Sequence, residues 1–174
     1  MTTPTPSERR LGPGAGYLLP GLELRHADGA PAPLWSFRGR GPLVVFLHDA
    51  RVPGSQAYLA RLEAARALLE DLGARVLVVA PTAAAGGPFS HLLDPAERLA
   101  ARLARDGVLP APTAPAVLVV GRSGEVWAAW AGALLPDAAE LRDWLEYALG
   151  ECRECFCCEQ VWPAEWLSAP REQH

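Results

Sequence analysis

The stretch that decides the fold is LVVFLHDARVPGSQAYLARL, which runs from Leu43 to Leu62. Leu43 to Leu47 is a continuous apolar run with β-branched residues in its middle, which is typical of a strand buried on both faces. From Ser55 to Leu72 the apolar residues recur with a helical period, and Gly73 supplies the residue that ends a helix. The stretch therefore predicts a buried strand, a polar loop and an amphipathic helix in direct succession.

The next segment predicts a second strand and a second helix. Arg75 to Ala80 is again apolar and strand-sized, and the Gly- and Pro-rich run PTAAAGGPFSH after it predicts a loop. Asp94 is then expected to cap a helix, with Pro95 at its first position and Glu97 as the partner in a capping box. Leu99 and Leu103 carry the inward face of this helix, and Gly107 ends it.

Hairpins are predicted on both sides of this region. Upstream, Leu22 and Leu24 alternate with polar residues before the turn signal Asp28-Gly29. Downstream, APTAPAVLVVGRSGEVWAAWAG predicts a strand, a tight turn at Ser123-Gly124 and a second strand. A last helix is expected from about Asp137 to Leu149, with Gly150 as its stop. Its inward side chains are expected to be Leu141, Trp144, Leu145 and Ala148.

This order of elements predicts an α/β fold, with a largely parallel sheet covered on both faces and an antiparallel hairpin at one edge. The 174 residues are 50% hydrophobic, enough for one domain with tails. We expect a flexible lead-in at residues 1–16, the domain at 17–150 and a Cys- and Trp-containing tail at 151–174.

Composition limits the partners and the compartment. The net charge is −4 and no basic run is present, which argues against nucleic acid as a partner. The apolar runs are too short to span a bilayer, and no secretory signal precedes the domain, so we expect a cytoplasmic protein without a membrane partner. Its thiols are expected to rest reduced in that compartment.

Three segments resemble the thioredoxin-like superfamily, and within it the redoxins and peroxiredoxin-like (AhpC/TSA-type) proteins. They are LELRHADGAPAPLWSFRGRGPLVVFL, FLHDARVPGSQAYLARL and PTAPAVLVVGRSGEV, in the family's order and spacing. The resemblance covers roughly residues 17 to 149. It implies a three-layer sandwich with a central mixed sheet and an N-terminal hairpin. It also implies a cis-proline at Pro115, lining a substrate groove, and a thiol-dependent oxidoreductase or antioxidant activity.

The family's redox loop has no cysteine in this chain. One register places Val52-Pro53-Gly54-Ser55 over the family's Cys-Pro-x-Cys, and a register one residue earlier gives Arg51-Val52-Pro53-Gly54. A serine hydroxyl cannot form the disulfide or reduce a peroxide through a sulfenate. Ser55 is therefore either a vestige of the nucleophile or, as we favour, an N-cap of the helix.

The other polar residues of this loop allow two interpretations each. His48 and Asp49 either relay protons or bind a ligand, or they are solvated loop residues, which is the interpretation we favour. Arg51 either activates a thiol delivered to it or is an exposed loop arginine, which is again favoured. Trp127, Trp130 and Trp144 lie on periodic elements and are expected to pack in or near the core.

All four cysteines lie in the run ECRECFCCEQ, at Cys152, Cys155, Cys157 and Cys158. The two-residue spacing of Cys152 and Cys155 suits a redox pair, with the other two as resolving or relay thiols. The same four sulfurs suit zinc, an iron–sulfur cluster or Cu(I), although adjacent cysteines rarely join one tetrahedral site. A cluster without either role is the third alternative.

Three functions therefore stay open. The first is a divergent redoxin whose thiol chemistry has moved to the tail, with a thiol-containing protein or a small-molecule reductant as partner. The second is a metal-binding module, in which a homodimer could pool eight sulfurs. The third is a partner-binding protein that uses the groove at Val52-Pro53-Gly54-Ser55 and Pro115. Two tryptophans, Trp162 and Trp166, are expected to pack the tail back on the domain.

Overall fold

The computed structural model describes residues 16–82, 87–112, 115–133 and 135–154, with only the backbone for 151–154. The lead-in at 1–15 and the tail from Cys155 onward lie outside these residues. The domain boundaries that we expect at 16/17 and 150/151 therefore remain predictions.

The described chain forms eight strands, four α-helices and one 3-10 helix. The strands are β1 (Tyr17–Leu18), β2 (Glu23–His26), β3 (Pro31–Pro33), β4 (Leu43–Leu47), β5 (Arg75–Ala80), β6 (Ser90–Leu93), β7 (Ala116–Val120) and β8 (Glu125–Ala131). The helices are α1 (Pro53–Ala64), α2 (Arg66–Asp71), α3 (Arg98–Arg105) and α4 (Ala138–Glu154), and the 3-10 helix is Leu34–Phe37. None of these helices is long and apolar enough to cross a bilayer.

All eight strands join one mixed sheet in the order β1-β8-β7-β4-β5-β6-β2-β3. The pairs β4–β5 and β5–β6 are parallel, whereas β7 runs antiparallel to both β4 and β8. The predicted central strands and both hairpins are confirmed, including the antiparallel pair β2–β3 around Asp28-Gly29. The mixed sheet covered by helices confirms the predicted fold class. The expectation of a largely parallel sheet is wrong, because only two of the seven strand pairings of the described sheet are parallel.

Two apolar cores lie on opposite faces of the sheet. Alternate residues of β4 separate them: Leu43, Val45 and Leu47 face α3, and Val44 and Phe46 face α1 and α4. The four residues predicted to face inward on the last helix are at most 8% exposed. The tryptophans expected to pack do so, with the Trp130 and Trp144 rings 6.2 Å apart and edge-on.

Several predicted boundaries are wrong. The helix predicted from Ser55 to Leu72 is interrupted at Ala65, which ends α1 and precedes α2. The last helix does not stop at Gly150 but continues to Glu154. The last two residues of the loop predicted after Ala80 belong to β6, whose ladder to β5 and β2 no local pattern reveals. The two-residue strand β1 was also not predicted.

The start of α3 also differs from its prediction. The helix begins at Arg98, so Pro95 precedes it, and Glu97 is the N-cap with φ of 50° and no side-chain cap bond. Asp94 nevertheless satisfies a first-turn amide, because its Oδ2 accepts a hydrogen bond of 2.8 Å from Leu99 N. Asp94 is buried and also accepts from Arg98 Nε at 3.2 Å.

Candidate functional site

The candidate site lies at the edge of the sheet where β4 ends and β7 begins. Leu47 pairs with Ala116, which in turn pairs with Ala131 at the end of β8. The N-terminus of α1 opens at the same edge, immediately after the loop of residues 48–52. Pro115 is buried here, and its carbonyl accepts a hydrogen bond of 2.9 Å from Gly132 N. The residue before Pro115 lies outside the described chain, so the isomer expected there remains a prediction.

Ser55 does not cap α1, contrary to the prediction. The N-cap is Val52, and Ser55 lies within the first turn of the helix, fully buried. Its Oγ accepts a hydrogen bond of 3.0 Å from Asp49 N and lies 2.7 Å from His48 Nδ1. The serine therefore ties the loop back onto the helix.

His48 is buried at 2% exposure, so the prediction of a solvated loop residue is wrong. Its backbone N–H continues the β4–β5 ladder by donating to Val79 O at 2.8 Å, and its ring contacts Phe46. Burial lowers the pKa of His48, and the positive charge of His91 lowers it further, against an opposing effect of Asp49. The imidazole is therefore neutral at pH 7.

The hydrogen bonds around Ser55 select one tautomer of His48. Ser55 Oγ already accepts from Asp49 N, and its single proton needs an acceptor. When Oγ donates to His48 Nδ1, both groups are satisfied and the imidazole proton resides on Nε2. This arrangement has the atoms of a nucleophile–base pair, but the hydroxyl is fully buried and a substrate cannot reach it without local opening. We therefore interpret the pair as structural.

Asp49 and Arg51 close the outer side of the loop. Arg51 N donates to Asp49 Oδ1 at 2.9 Å, and Arg51 Nη2 lies 2.7 Å from Asp49 Oδ2. These hydrogen bonds hold the pKa of Asp49 below its usual value. The Arg51 side chain is 74% exposed, as predicted, and also reaches Glu97 Oε1 at 3.4 Å. An exposed ion pair of this kind adds little to the free energy of unfolding. Its role is to fix the conformation of the loop.

The space beside this loop is small. A cavity of about 20 Å³ borders His48, Asp49, Pro81, Asp94 and Glu97. That volume admits about one water molecule and no larger ligand. Among the described residues, no group of three His, Cys, Asp or Glu side chains is placed to hold a metal ion. The described residues of the site therefore include no thiol, and this one cavity is too small for a substrate.

The cysteine cluster begins at the opposite end of the domain. The Trp130–Trp144 and Trp127–Tyr147 ring contacts show that α4 runs antiparallel to β8. With a rise of about 1.5 Å per helical residue and about 3.3 Å per strand residue, the backbone of Cys152 lies near the start of β8. That level is about 20 Å along β8 from the edge that holds Ser55. Cys155, Cys157 and Cys158 lie outside the described residues.

No protein-family model matches the sequence, and no curated protein matches it. Solved structures do match. A thiol:disulfide interchange protein DsbE of Chlorobium tepidum aligns with a TM-score of 0.62 and 18% identity, over 78% of this chain and 98% of that chain. Peroxiredoxin Q of Xanthomonas campestris aligns with a TM-score of 0.57 and 18% identity, over 79% and 98%.

The chain has the thioredoxin-like fold of the redoxins. A cysteine-to-serine mutant of peroxiredoxin 6 of Arenicola marina is also similar, with a TM-score of 0.60 and 18% identity over 75% of this chain and 71% of that one. The fold that the three sequence segments predicted is thus confirmed. At this identity the likeness concerns the fold alone, and the activity has to be argued from the residues of this chain.

Sequence reasoning identified the loop but not its internal contacts. His48, Asp49 and Ser55 were all candidates, and the structure brings them together, while Arg51 joins them through Asp49. Asp94 and Glu97, which border the same cavity, were predicted only as helix-capping residues. His91 was not a candidate, because β6 was not predicted and nothing else in the sequence directs it toward His48.

Proposed function

We propose that this protein is a divergent redoxin whose thiol-disulfide or antioxidant chemistry is carried by the cluster Cys152, Cys155, Cys157 and Cys158. One observation carries the proposal: the position that the fold offers for a reactive thiol holds Ser55, which is fully buried and hydrogen bonded. All four thiols of the chain lie in the run 152–158. Thiol chemistry in this protein therefore has to use that run.

The cluster works away from the Ser55 site of the same molecule. Cys158 follows Glu154, the last residue of α4, by four residues, and four extended residues span at most about 14 Å. The Ser55 edge is about 20 Å away from the level of Cys152, so an intact α4 keeps the cluster out of reach. The substrate meets the cluster at the α4 end of the domain.

A two-cysteine exchange accounts for the chemistry. The thiolate of Cys152 or Cys155 attacks one sulfur of a substrate disulfide, and the other substrate sulfur leaves as a thiolate and takes a proton. The second cysteine then attacks the mixed disulfide, so the substrate leaves as a dithiol and the pair keeps the disulfide. A dithiol, either a protein or a small molecule, returns two electrons and two protons. With a peroxide, the first thiolate attacks one peroxide oxygen, the O–O bond breaks, and the other oxygen takes a proton and leaves as an alcohol or as water. The sulfenic acid that remains on the first cysteine condenses with the second thiol to form the disulfide and releases water.

The electrostatic environment of Cys152 and Cys155 differs from that of the thiol in a redoxin site. A redoxin thiol at a helix N-terminus is stabilised as thiolate by free amides and the helix dipole. Cys152 instead lies in the last turn of α4, where the helix dipole disfavours an anion. We therefore expect slow turnover, limited by thiolate formation, that rises as the pH is raised from 7 to 9.

The experiment compares three full-length proteins: the wild type, Cys152→Ser and Cys155→Ser. Reduction of a small disulfide driven by dithiothreitol should be present in the wild type above the uncatalysed rate and absent in both variants. Oxidised wild type should also lose thiols in pairs. A wild type without a reducible disulfide and without peroxide or disulfide turnover would refute the proposal.

A second function, metal binding through the same cluster, is favoured by the spacing of four cysteines within seven residues. Four soft sulfurs then serve as ligands for zinc, an iron–sulfur cluster or Cu(I). Protein purified anaerobically without chelator should then contain near-stoichiometric metal that Cys152→Ser removes. Four freely titrating thiols in metal-free protein would exclude this function.

A further inference from the structure

His48 is a buried titratable residue that the proposed thiol chemistry does not use. Its side chain lies under α1: the ring centroid is 5.6 Å from that of Phe46, and Nδ1 is 2.7 Å from Ser55 Oγ in the first turn of the helix. The residue is 2% exposed. A proton bound to this imidazole therefore places a positive charge in the interior, which is costly unless an anion pairs with it.

The carboxylates nearest to His48 have other partners. Asp49 accepts hydrogen bonds from the amide and the guanidinium of Arg51, and Glu97 lies 3.4 Å from Arg51 Nη2. Asp94, which borders the same small cavity as His48, accepts from a backbone amide and a guanidinium of α3. None of these three carboxylates forms an ion pair with the imidazole in the described chain.

His91 adds a second titratable side chain on the same face of the sheet. It pairs with Val78, which pairs with Phe46, so all three side chains face α1. Burial lowers the pKa of His48, and the positive charge of His91 lowers it further. Burial also lowers the pKa of His91, against an opposing effect of Glu63 in α1. A proton on one imidazole therefore disfavours a proton on the other.

The part of α1 that covers His48 supplies no negative charge. The free amides at the N-terminus of this helix carry a partial positive charge, which disfavours a cation next to Ser55. One turn further along, Tyr58 packs on Phe46 and donates to Pro136 O at 2.9 Å. Burial raises the pKa of Tyr58, so its hydroxyl stays uncharged.

Protonation also removes the hydrogen bond that holds the loop of residues 48–52 on α1. In the neutral pair, Ser55 Oγ accepts from Asp49 N and donates to His48 Nδ1. An imidazolium has a proton on both ring nitrogens and accepts no hydrogen bond. The hydroxyl proton of Ser55 then has lost its acceptor in a fully buried position, which is unfavourable.

The loop has few other contacts with the rest of the described chain. Arg51 binds Asp49, which belongs to the loop itself, and its contact with Glu97 is exposed and 3.4 Å long. The amide of His48 donates to Val79 O at 2.8 Å. The strand β4 below the loop is paired along its whole length with both β5 and β7. Release of the loop therefore costs much less than unfolding of the sheet.

We propose that His48 is a proton-sensitive latch, whose protonation in mildly acidic solution releases the loop of residues 48–52 from α1 while the sheet stays folded. The release brings the imidazolium into water and uncovers Ser55 and the edge of the sheet next to Pro115. This edge is then accessible to a partner in acid and closed at neutral pH. The latch is independent of whether the tail cysteines carry redox chemistry or a metal.

Hydrogen exchange of the full-length protein at pH 7 and pH 5, followed by mass spectrometry, tests the latch. Each rate is divided by the intrinsic exchange rate at that pH, which leaves the opening equilibrium. An imidazole released into water, with a pKa of about 6.5, shifts this equilibrium by up to about 30-fold at pH 5. We expect peptides from residues 48–57 to open about tenfold more often at pH 5 than at pH 7.

Two variants assign the pH response to His48. The side-chain oxygen of Asn can accept from Ser55 in place of Nδ1 and is not protonated between pH 5 and pH 7, so His48→Asn should abolish the response. His48→Gln is a second uncharged variant, to be used if the first one does not fold. The matched control is His26→Asn, which removes a histidine from β2 and should keep the tenfold response.

Three outcomes would overturn the proposal. The first is equal opening of the loop at pH 7 and pH 5 in the wild type. The second is a pH response that persists in the uncharged variants of His48, which would assign it to another group such as His91. The third is exchange of β7 at the same rate as the loop at pH 5, which would show that the whole domain unfolds. A response that the wild type and His26→Asn share, that the uncharged variants lack and that leaves β7 protected supports the latch.

Discussion

Replacing Ser55 by alanine tests whether this residue holds the loop of residues 48–52 in place. The substitution removes the oxygen that pairs with both Asp49 N and His48 Nδ1. It leaves one buried and one half-buried polar group without a partner, at a cost of about 1 to 2 kcal/mol each. We expect Ser55→Ala to lower the free energy of unfolding by about 2 to 4 kcal/mol.

Urea denaturation followed by far-UV circular dichroism measures this loss. With a slope of about 2 kcal/mol per molar urea, the midpoint should fall by about 1 to 2 M. Gln56→Ala is the matched control, because Gln56 is the next residue of α1 and is exposed. Its effect should stay within about 0.5 kcal/mol.

A double-mutant cycle separates the interaction energy between Ser55 and His48 from the effect of replacing each residue alone. His48→Leu leaves Ser55 Oγ without its imidazole partner and adds its own packing change. Combined with Ser55→Ala, it should cost less than the sum of the two single changes, with a coupling of about 1 kcal/mol or more. A Ser55→Ala variant as stable as Gln56→Ala, or additive effects in the cycle, would refute the structural role of the pair.

Three further predictions concern the same edge of the sheet. Burial lowers the pKa of His48 and of His91, so below pH 6.5 the unfolded chain binds more protons than the folded protein does. The free energy of unfolding should therefore be lower at pH 5 than at pH 7 and should stay level above pH 7. Equal free energies of unfolding at pH 5 and pH 7 would contradict this prediction. Asp94→Ala removes the acceptor of Leu99 N and should cost about 1 to 2 kcal/mol in urea denaturation, whereas an unchanged midpoint would show that water replaces it. Ser55→Cys can be made in a chain whose four tail cysteines are replaced by serine. In the folded protein this buried cysteine should react with iodoacetamide at least about tenfold more slowly than in the urea-unfolded protein. Rapid alkylation of the folded protein would show that the site opens.

The central strands could be predicted because each of them is an uninterrupted run of apolar residues. β4, β5 and β7 are continuous apolar runs, and only a sheet covered on both faces accommodates such runs. The strand β6 has the sequence SHLL within a Gly- and Pro-rich segment, and its identity depends on hydrogen bonds to β5 and β2. Such long-range pairing leaves no local period.

Two helix ends differ from those that the sequence predicted. Gly150 is a strong stop signal, yet α4 continues four residues past it. A glycine inside a helix costs only about 1 kcal/mol, so Gly150 does not by itself end the helix. The interruption at Ala65 has no counterpart in the sequence pattern, because Ala65 itself continues the apolar face.

The position of the candidate site in the chain could be predicted from the sequence, but the burial and the hydrogen bonds of its side chains could not. The redoxin resemblance identifies the loop, and the absence of cysteine from it is plain in the sequence. That His48 is buried follows from its amide extending the β4–β5 ladder, a contact between residues 31 positions apart. The bond between Ser55 and Asp49 requires the loop to fold back on α1, which residue types alone do not specify.

We propose that thiol chemistry resides in the tail cluster and not in the loop of residues 48–52. The most direct test is dithiol-driven reduction of a small disulfide by the wild type, Ser55→Ala and Cys155→Ser, measured at a temperature where all three are folded. We predict turnover in the wild type and in Ser55→Ala, and none in Cys155→Ser. Turnover that survives in Cys155→Ser and disappears in Ser55→Ala would contradict it.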